Sequence, residues 1–346
     1  MSFLLLEDGM RFPGRSVGAD GIAFGEAVFT TAMAGYQEVV TDPSYAEQIV
    51  AFTAPMVGNY GVAPARSESD RAHARAVVMR RAGGEAWTRW LAARGIVALD
   101  EVDTRSLVLH LRERGAMRAA AVVGDASGEH VLAEIRAQPP MQGRDLVGLV
   151  STEEPYPLGR GSPRVAVLDL GCKRSIIQRL LTGGAAVSVF PHDTPASEIL
   201  AARPAGIVVS NGPGDPAALA RETQTVADLV GRVPLLGICL GHQLLARASG
   251  LRTYKLRFGH RGANHPVLEL ATGCVLVTAQ NHGFAVEGHG PAATHVSLYD
   301  GTVEGLALPD ADARSIQFHP EASPGPHDAR GLIDDWLQGL RLAAAA

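Results

Sequence analysis

The second half of the chain alternates short apolar runs with segments in which apolar residues recur at helical spacing. The apolar runs predict buried strands, and the spaced segments predict helices. In chain order these elements are a strand at 165–168, a helix at 174–181, strands at 186–190 and 206–210, a helix at 222–230 and a strand at 235–239. This alternation is typical of a mostly parallel sheet covered by helices on both faces, with functional groups in the loops at the carboxyl ends of the strands.

The first half has a different pattern, with frequent glycines and prolines and little helical periodicity. Its predicted elements are strands at 28–34 and 48–53 and helices at 87–94, 104–113 and 130–137. We interpret this half as a smaller, β-rich α+β domain that precedes the α/β domain.

The two halves meet at a segment rich in proline and glycine. Residues 152–163 contain three prolines and two glycines and show no apolar periodicity, which is typical of a linker. We therefore predict an N-terminal domain over 1–151, a linker over 152–163 and a C-terminal domain over 164–346.

Cys239 is the first candidate for chemistry. It stands between Gly237 and Gly241, at the end of an apolar run and just before a helix-like segment. Flanking glycines let a strand reverse sharply into a helix without a clashing Cβ, and they leave the sulfur accessible, as in a nucleophile elbow. The positive end of the helix favours a thiolate, and the Leu240 N–H is placed to hold an oxyanion on an attacked carbonyl.

A matching base and carboxylate occur eighty residues later. His319 and Glu321 follow an apolar pair, two positions apart, so both side chains can point the same way from the end of a strand. Each motif alone has an ordinary interpretation, a buried structural cysteine or a surface histidine and glutamate. Their joint occurrence favours a Cys239–His319–Glu321 relay.

These motifs carry a family resemblance over nearly the whole chain, apart from about the last ten residues and a looser stretch at 67–84. Residues 237–243 and 319–321 resemble the class I (triad) glutamine amidotransferases, and residues 210–216 resemble the second oxyanion loop of that family. Four further segments resemble the small, glutamine-hydrolysing subunits of carbamoyl-phosphate synthases: Gly-Tyr-Gln-Glu at 35–38, Asp-Pro-Ser-Tyr at 42–45, Phe-Gly-His-Arg-Gly-Ala-Asn-His-Pro at 258–266 and Gln-Asn-His-Gly-Phe at 280–284.

The resemblance implies a set of glutamine-binding residues. They are Ser44, Gly212, Gly214, Leu240, Gln243, Asn281, Gly283 and Phe284. Without the resemblance, the segments at 211–216 and 280–284 would be interpreted as ordinary turns. Gln243 would be interpreted as an exposed helix residue. Ser44 belongs to the other predicted domain, so the resemblance implies a site where the domains meet. Lys173 has two interpretations. It matches a family lysine near the domain and subunit junction, or it is an ordinary solvated lysine.

Composition narrows the classes of partner. The chain has 31 Lys and Arg against 36 Asp and Glu, a net charge of −5, and no basic cluster interleaved with aromatics. We therefore expect no nucleic-acid partner. No apolar run approaches the length of a membrane span, and the N-terminal run is too short for a signal peptide, so no membrane partner is expected either.

Cysteine and histidine spacing argue against disulfides and metals. Cys172, Cys239 and Cys274 are odd in number and widely separated, which predicts a reducing, cytoplasmic location without a disulfide framework or structural zinc. The histidines His260, His265 and His282 match no common ligand spacing, so we expect no metal site.

The resemblance implies hydrolysis of L-glutamine through a cysteinyl thioester and delivery of ammonia to a large synthetase subunit. The chain lacks a Gly-x-x-x-x-Gly-Lys-Ser/Thr loop, so we expect no cofactor here and ATP with Mg²⁺ on the large subunit. Carbamoyl phosphate, the overall product, would feed pyrimidine and arginine biosynthesis.

Three other interpretations stay open: another ammonia donor, a free-standing cysteine hydrolase, and a non-catalytic module with a decayed site. The N-terminal 150 residues argue against the first, and the intact Cys239, His319 and Glu321 argue against the last.

Overall fold

The structure, a computed structural model, describes residues 2–288, 290 and 292–345 and divides into two compact units. The first unit comprises the chain up to Arg144 together with Arg257–Gly262. The second comprises Asp145–Leu256 and the chain from Ala263 onward.

Seven strands of the first unit form a closed barrel in the order β1-β2-β6-β5-β4-β3-β7. These are β1 Ser2–Leu6, β2 Arg11–Ser16, β3 Gly21–Thr30, β4 Gln48–Phe52, β5 Ala76–Val78, β6 Val97–Asp100 and β7 Met117–Val123. The helices of this unit are α1 Tyr36–Thr41, α2 Glu85–Ala93, α3 Thr104–Arg114 and α4 Gly128–Ala137.

Alternation of side chains along each strand gives the barrel two apolar faces. On β4, Ile49 and Ala51 join a cluster to which all seven strands contribute and which fills the barrel. Val50 points the other way and packs in a cluster with Trp87 of α2. The predicted β-rich domain is therefore confirmed. Helices α2, α3 and α4 lie at the expected places, whereas α1 was not predicted.

The second unit is built on a ten-stranded sheet with the order β14-β13-β15-β16-β17-β12-β11-β9-β10-β8. Its strands are β8 Tyr156–Leu158, β9 Arg164–Asp169, β10 Ala186–Pro191, β11 Gly206–Val209, β12 Leu235–Ile238, β13 Thr253–Glu269, β14 Val275–Val286, β15 Ala293–Ser297, β16 Val303–Leu308 and β17 Ala313–Ile316. Its helices are α5 Arg174–Thr182, α6 Ala196–Ala201, α7 Ala220–Leu229, α8 Leu240–Ala248 and α9 Gly331–Ala345.

The five central strands, β10, β9, β11, β12 and β17, run parallel. Both faces of this parallel region are covered. Val165 and Val167 of β9 pack in one cluster with residues of α5 and α9, whereas Ala166 and Leu168 pack in another with residues of α6, α7 and α8. Burial on both faces explains the continuous apolar runs and confirms the predicted α/β fold.

The structure differs from the sequence prediction at two boundaries. The unit division falls after Arg144, and the predicted linker at 152–163 contributes the edge strand Tyr156–Leu158, antiparallel to β10. Proline is tolerated on an edge strand, so linker-like composition is compatible with pairing here. The strand predicted at 28–34 extends from Gly21 to Thr30 in the structure. Its first half is only partly buried, so no apolar run in the sequence indicated where it begins.

Within the described residues, no helix is long and apolar enough to cross a membrane.

Candidate active site

Cys239 occupies the sharp turn between β12 and α8. Its backbone has φ 55° and ψ −103°, a conformation that is strained for a residue with a side chain. Three backbone hydrogen bonds hold the turn: Cys239 N–H to Ile316 O at 2.9 Å, Gly241 N–H to Ser210 O at 3.0 Å, and Gln243 N–H to Cys239 O at 3.2 Å. A strained conformation that surrounding hydrogen bonds hold in place is typical of turns at functional sites.

The first residue of α8 can offer its backbone amide to a substrate. The Leu240 N–H, at the start of α8, takes part in no backbone hydrogen bond among the described residues. Cys239 is 2% exposed, and its Sγ lies 3.7 Å from the backbone oxygen of Asn281. A buried sulfur beside a free helical amide is the arrangement that an attacked carbonyl needs.

Neighbouring backbone atoms leave no room for a side chain at Gly237 or Gly241, the two glycines that flank Cys239. A Cβ on Gly237 would lie 2.6 Å from the backbone oxygen of Gly241, and a Cβ on Gly241 would collide with the backbone oxygen of Val209. The Gly-x-Cys-x-Gly pattern therefore lets β11, β12 and α8 pack together at the nucleophile.

We expect Gly241→Ala to lower the free energy of unfolding by about 1–3 kcal/mol, because backbone atoms must move to admit the methyl group. Urea denaturation measures this change. The matched control is Gly339→Ala on the exposed face of α9, where nothing lies within 4 Å of the added Cβ; this change should stabilise the fold by about 0.5–1 kcal/mol. Equal effects of the two substitutions would contradict the account of the elbow.

His319 and Glu321 follow β17 and are both buried. His319 Nδ1 lies 2.7 Å from Glu321 Oε1, and the His319 backbone N–H donates to Ala279 O of β14 at 2.9 Å. The other ring nitrogen, Nε2, is buried and has no hydrogen-bond partner among the described residues. Glu321 thus orients the ring and leaves Nε2 for chemistry.

The electrostatics of this pair keep both groups charged. Burial by itself would lower the pKa of His319, but the charges of Glu321 and Cys239 outweigh burial and raise it to about 10. Burial likewise opposes ionisation of Glu321, but Lys173 and His319 hold its pKa well below the usual range. At neutral pH, His319 is therefore an imidazolium that can release a proton to a departing amine.

The contacts of Lys173 were not predicted from the sequence. It is buried rather than solvated: it is 3% exposed, and its Nζ donates to Glu321 Oε1 at 2.8 Å and to Ser323 O at 2.5 Å. It stands just after β9, at the carboxyl edge of the sheet, 148 residues from Glu321. Its place at a strand end was the one visible signal.

We expect Lys173→Met to destabilise the fold by about 3 kcal/mol, the lower end for a broken buried ion pair, because His319 remains beside Glu321. Urea denaturation measures the loss. The matched control is Lys255→Met, since Lys255 is the other lysine of the chain. It lies 5.1 Å from the ring centroid of Phe284, a contact worth about 1 kcal/mol. A smaller loss for Lys173→Met than for the control would contradict the buried pair.

Glu321→Gln should lower stability in a pH-dependent way. A carboxylate with a lowered folded pKa stabilises the fold above its unfolded value of about 4.3, and loses this contribution as the pH falls. A histidine with a raised folded pKa contributes fully below about 6.5, and loses this contribution as the pH rises toward the folded value.

The stability deficit of Glu321→Gln should therefore be largest between about pH 4.5 and 6.5 and shrink on both sides. Denaturation across a pH series measures it. Glu85→Gln, at an exposed carboxylate on α2, should show almost no deficit. A deficit of constant size across the series would contradict the assigned pKa directions.

Strand β14 and helix α8, which carry predicted glutamine-binding residues, meet beside Cys239. Asn281, Gly283 and Phe284 lie within strand β14, so the turn considered for them is wrong. Gln243 is buried rather than exposed, and its Nε2 donates to Phe284 O at 2.9 Å and to Gln317 Oε1 at 3.0 Å. Gln243 thereby ties α8 to β14, beside the Asn281 carbonyl that faces the sulfur.

The loop after β11, which contains Gly212 and Gly214, packs closely against the backbone of other segments. A Cβ on Gly212 would collide with the backbone oxygen of Leu170, and Gly214, with φ 93°, bridges to Asp145. Asn211 fixes the start of the loop, because its Oδ1 accepts from Lys173 N–H at 3.1 Å and its Nδ2 donates to Gly171 O at 3.0 Å. The role of the loop as an oxyanion donor stays a prediction.

Ser44 lies in the first unit, in the 3₁₀ turn Pro43–Tyr45. It is buried, and its backbone N–H donates to Asp42 Oδ1 at 2.9 Å. Its contact with glutamine stays a prediction from the family resemblance.

Cys239 follows β12, and His319 and Glu321 follow the neighbouring parallel strand β17. This is the arrangement of a triad amidotransferase. Residues 166–338 match the family model described as glutamine amidotransferase class-I, and residues 4–121 match that of the carbamoyl-phosphate synthase small chain, CPSase domain. The C-terminal domain is therefore a class I glutamine amidotransferase domain.

The chain belongs to the carbamoyl-phosphate synthase small-chain family. It is 44% identical to the carbamoyl phosphate synthase small chain of Thioalkalivibrio sulfidiphilus, over 98% of this chain and 97% of the relative. The corresponding protein of Syntrophotalea carbinolica is 43% identical over 96% of each chain, and that of Xanthomonas campestris is 44% identical over 98% of each.

Proposed function

We propose that this chain hydrolyses L-glutamine to glutamate and ammonia as the glutaminase subunit of carbamoyl-phosphate synthase. A large subunit, using ATP and Mg²⁺, would combine the ammonia with bicarbonate to give carbamoyl phosphate for pyrimidine and arginine biosynthesis. The observation that carries the proposal is the buried Cys239–His319–Glu321 arrangement within a chain related over nearly its full length to carbamoyl-phosphate synthase small chains.

The chemistry proceeds in two halves. The Cys239 thiolate attacks the side-chain amide carbon of glutamine, and the Leu240 N–H, with the Gly212 amide, stabilises the oxyanion. Collapse of the tetrahedral intermediate breaks the C–N bond, and the His319 imidazolium gives its Nε2 proton to the departing ammonia. The product on the enzyme is a glutamyl thioester.

The second half restores the enzyme. Neutral His319 takes a proton from water, whose oxygen attacks the thioester carbon, and collapse releases glutamate and the Cys239 thiolate. Glu321 holds the imidazole with Nδ1 toward itself throughout, and Lys173 holds Glu321 ionised. Burial of all four groups excludes bulk water from the charged pair.

Two rival functions are weaker. The match of residues 4–121 to the carbamoyl-phosphate synthase small-chain domain argues against a donor for another synthesis. A free-standing cysteine hydrolase would need no partner. Reconstitution separates these functions. We expect the chain to bind a carbamoyl-phosphate synthase large subunit stably, to confer glutamine-dependent synthesis on it, and to hydrolyse glutamine faster in the complex than alone. Full glutaminase activity without association would favour the hydrolase.

A further inference from the structure

Asp169 is a buried carboxylate at the end of β9, four residues before Lys173. Its Oδ1 accepts from the backbone N–H groups of Gly171 at 2.9 Å and Cys172 at 2.6 Å, and its Oδ2 accepts from the backbone N–H of Thr152 at 2.8 Å. A carboxylate offers acceptors on both of its oxygens, so it suits a position that backbone donors approach from two sides. Asp169 therefore fixes the first part of the loop that leads to Lys173.

This loop is also held by the two residues that follow β11. Ser210 Oγ accepts from Leu170 N–H at 2.9 Å, and Asn211 Oδ1 accepts from Lys173 N–H at 3.1 Å. Every backbone N–H from Leu170 to Lys173 thus donates to a side chain, either that of Asp169 or that of a residue after β11. Because buried backbone donors need partners, these side chains determine where the Lys173 side chain leaves the backbone.

The position of Lys173 matters because its side chain reaches the proposed relay. Nζ donates to Glu321 Oε1 at 2.8 Å, and His319 Nδ1–H donates to the same oxygen at 2.7 Å. Lysine has a flexible four-carbon stem, so its ammonium keeps one contact only where its surroundings hold it. A displaced loop would weaken this contact and, through Glu321, the orientation of the imidazole.

Asp169 also anchors residues 145–152, a segment that we call the strap. Thr152, at the end of the strap, donates to Asp169. Asp145, at its start, forms a β-bridge with Gly214 of the predicted glutamine-binding loop. The strap is therefore attached at both ends to loops of the candidate site, and its attachment at Thr152 needs an acceptor on Asp169 Oδ2.

We infer that Asp169 is a positioning residue of the proposed reaction, which acts through the contact of Lys173 with Glu321. Among the described residues, its own hydrogen bonds go to backbone amides of the loop and the strap, and none goes to the relay. This role rests on the proposed glutaminase function for its effect on rate. The contact that Asp169 sets exists in the resting chain, so it can also be observed without turnover.

Asp169→Asn tests this role with little change in size. The amide has one acceptor oxygen, and its NH₂ group can only donate, so the variant loses either the bonds within the loop or the bond to the strap. We expect kcat for glutamine hydrolysis to fall by about tenfold with KM nearly unchanged, because the support of the catalytic groups is weakened by one hydrogen bond to a charged group. Should Asp169→Asn fail to fold, Asp169→Ser replaces it, since serine can form the same turn with the loop amides in less space.

A double-mutant cycle separates positioning from general loss of stability. Asp169 acts through Lys173, so in a chain that already carries Lys173→Met, adding Asp169→Asn should change kcat by no more than about twofold. The matched control is Asp100→Asn at a buried aspartate of the first unit, which accepts from Arg15 and from Ala82 N–H. This control should lower the urea midpoint but leave kcat unchanged.

Downfield ¹H spectra of the full chain give a readout that needs no glutamine. They report the proton between His319 Nδ1 and Glu321 Oε1. This proton should shift in Asp169→Asn and Lys173→Met but not in Asp100→Asn. An unchanged resonance in Asp169→Asn, or an equal loss of kcat with and without Lys173, would overturn the inference. A wild type that hydrolyses no glutamine would contradict the proposed function instead, and the resonance alone would then decide the role of Asp169.

Discussion

Cys239→Ser should reduce glutamine hydrolysis by about 10⁴-fold or more, because the hydroxyl that replaces the thiolate is a far weaker nucleophile at neutral pH. The residue sits in a strained turn held by three backbone hydrogen bonds, and serine fits the same space. The loss should therefore appear in the rate of glutamine hydrolysis while the fold and the association with a large subunit persist. Steady-state glutaminase assays measure it.

Two comparisons make this result specific. The reconstituted complex of Cys239→Ser should still make carbamoyl phosphate from free ammonia, since that route bypasses the thioester. Cys274→Ser, at an exposed cysteine in the hairpin between β13 and β14, should keep full activity. Glutamine-dependent synthesis retained in Cys239→Ser would contradict the assignment of the nucleophile.

His319→Asn should reduce glutamine hydrolysis by roughly 10³–10⁴-fold, nearly as much as loss of the cysteine. Asparagine occupies similar space but can neither donate a proton to ammonia nor take one from water at neutral pH. The effect should fall mainly on kcat, because the imidazole acts on the transition states rather than on glutamine binding.

Glu321→Gln should cost less activity than His319→Asn, because it removes orientation and charge from the imidazole but leaves the proton acceptor in place. Glutamine at this position can still accept from His319 Nδ1, although Lys173 then lacks its buried counter-charge. Comparison of kcat for the two variants tests the order. A larger loss in Glu321→Gln would show that the roles are assigned wrongly.

The fold could be predicted wherever one physical signal dominated. The central strands of the second unit are buried on both faces, so they appear as uninterrupted apolar runs, and the predicted bounds of β9, β10, β11 and β12 lie within a residue of those observed. The edge strand Tyr156–Leu158 and the short helix Ala196–Ala201 were missed. Each is too short to show a period, and the edge strand contains a proline typical of a linker.

The site was predictable where its residues are close in sequence. The elbow at Cys239 and the pair His319 and Glu321 are local patterns, and parallel strand order brings their carboxyl ends to one edge. The buried contacts of Lys173 and Gln243 were not predicted, because burial of a polar side chain depends on partners far along the chain, Glu321 for one and Gln317 for the other. No sequence period encodes such pairings.

The most direct test of the account is to trap the covalent intermediate. The chain is mixed with glutamine, quenched in acid during turnover, digested and analysed by mass spectrometry, with Cys239→Ser and Cys274→Ser treated in parallel. The account predicts that the peptide containing Cys239 gains the mass of a glutamyl group in the wild type and in Cys274→Ser, and that Cys239→Ser shows no such adduct. Glutamine turnover with a glutamyl group on another residue, or with the same adduct in Cys239→Ser, would contradict it.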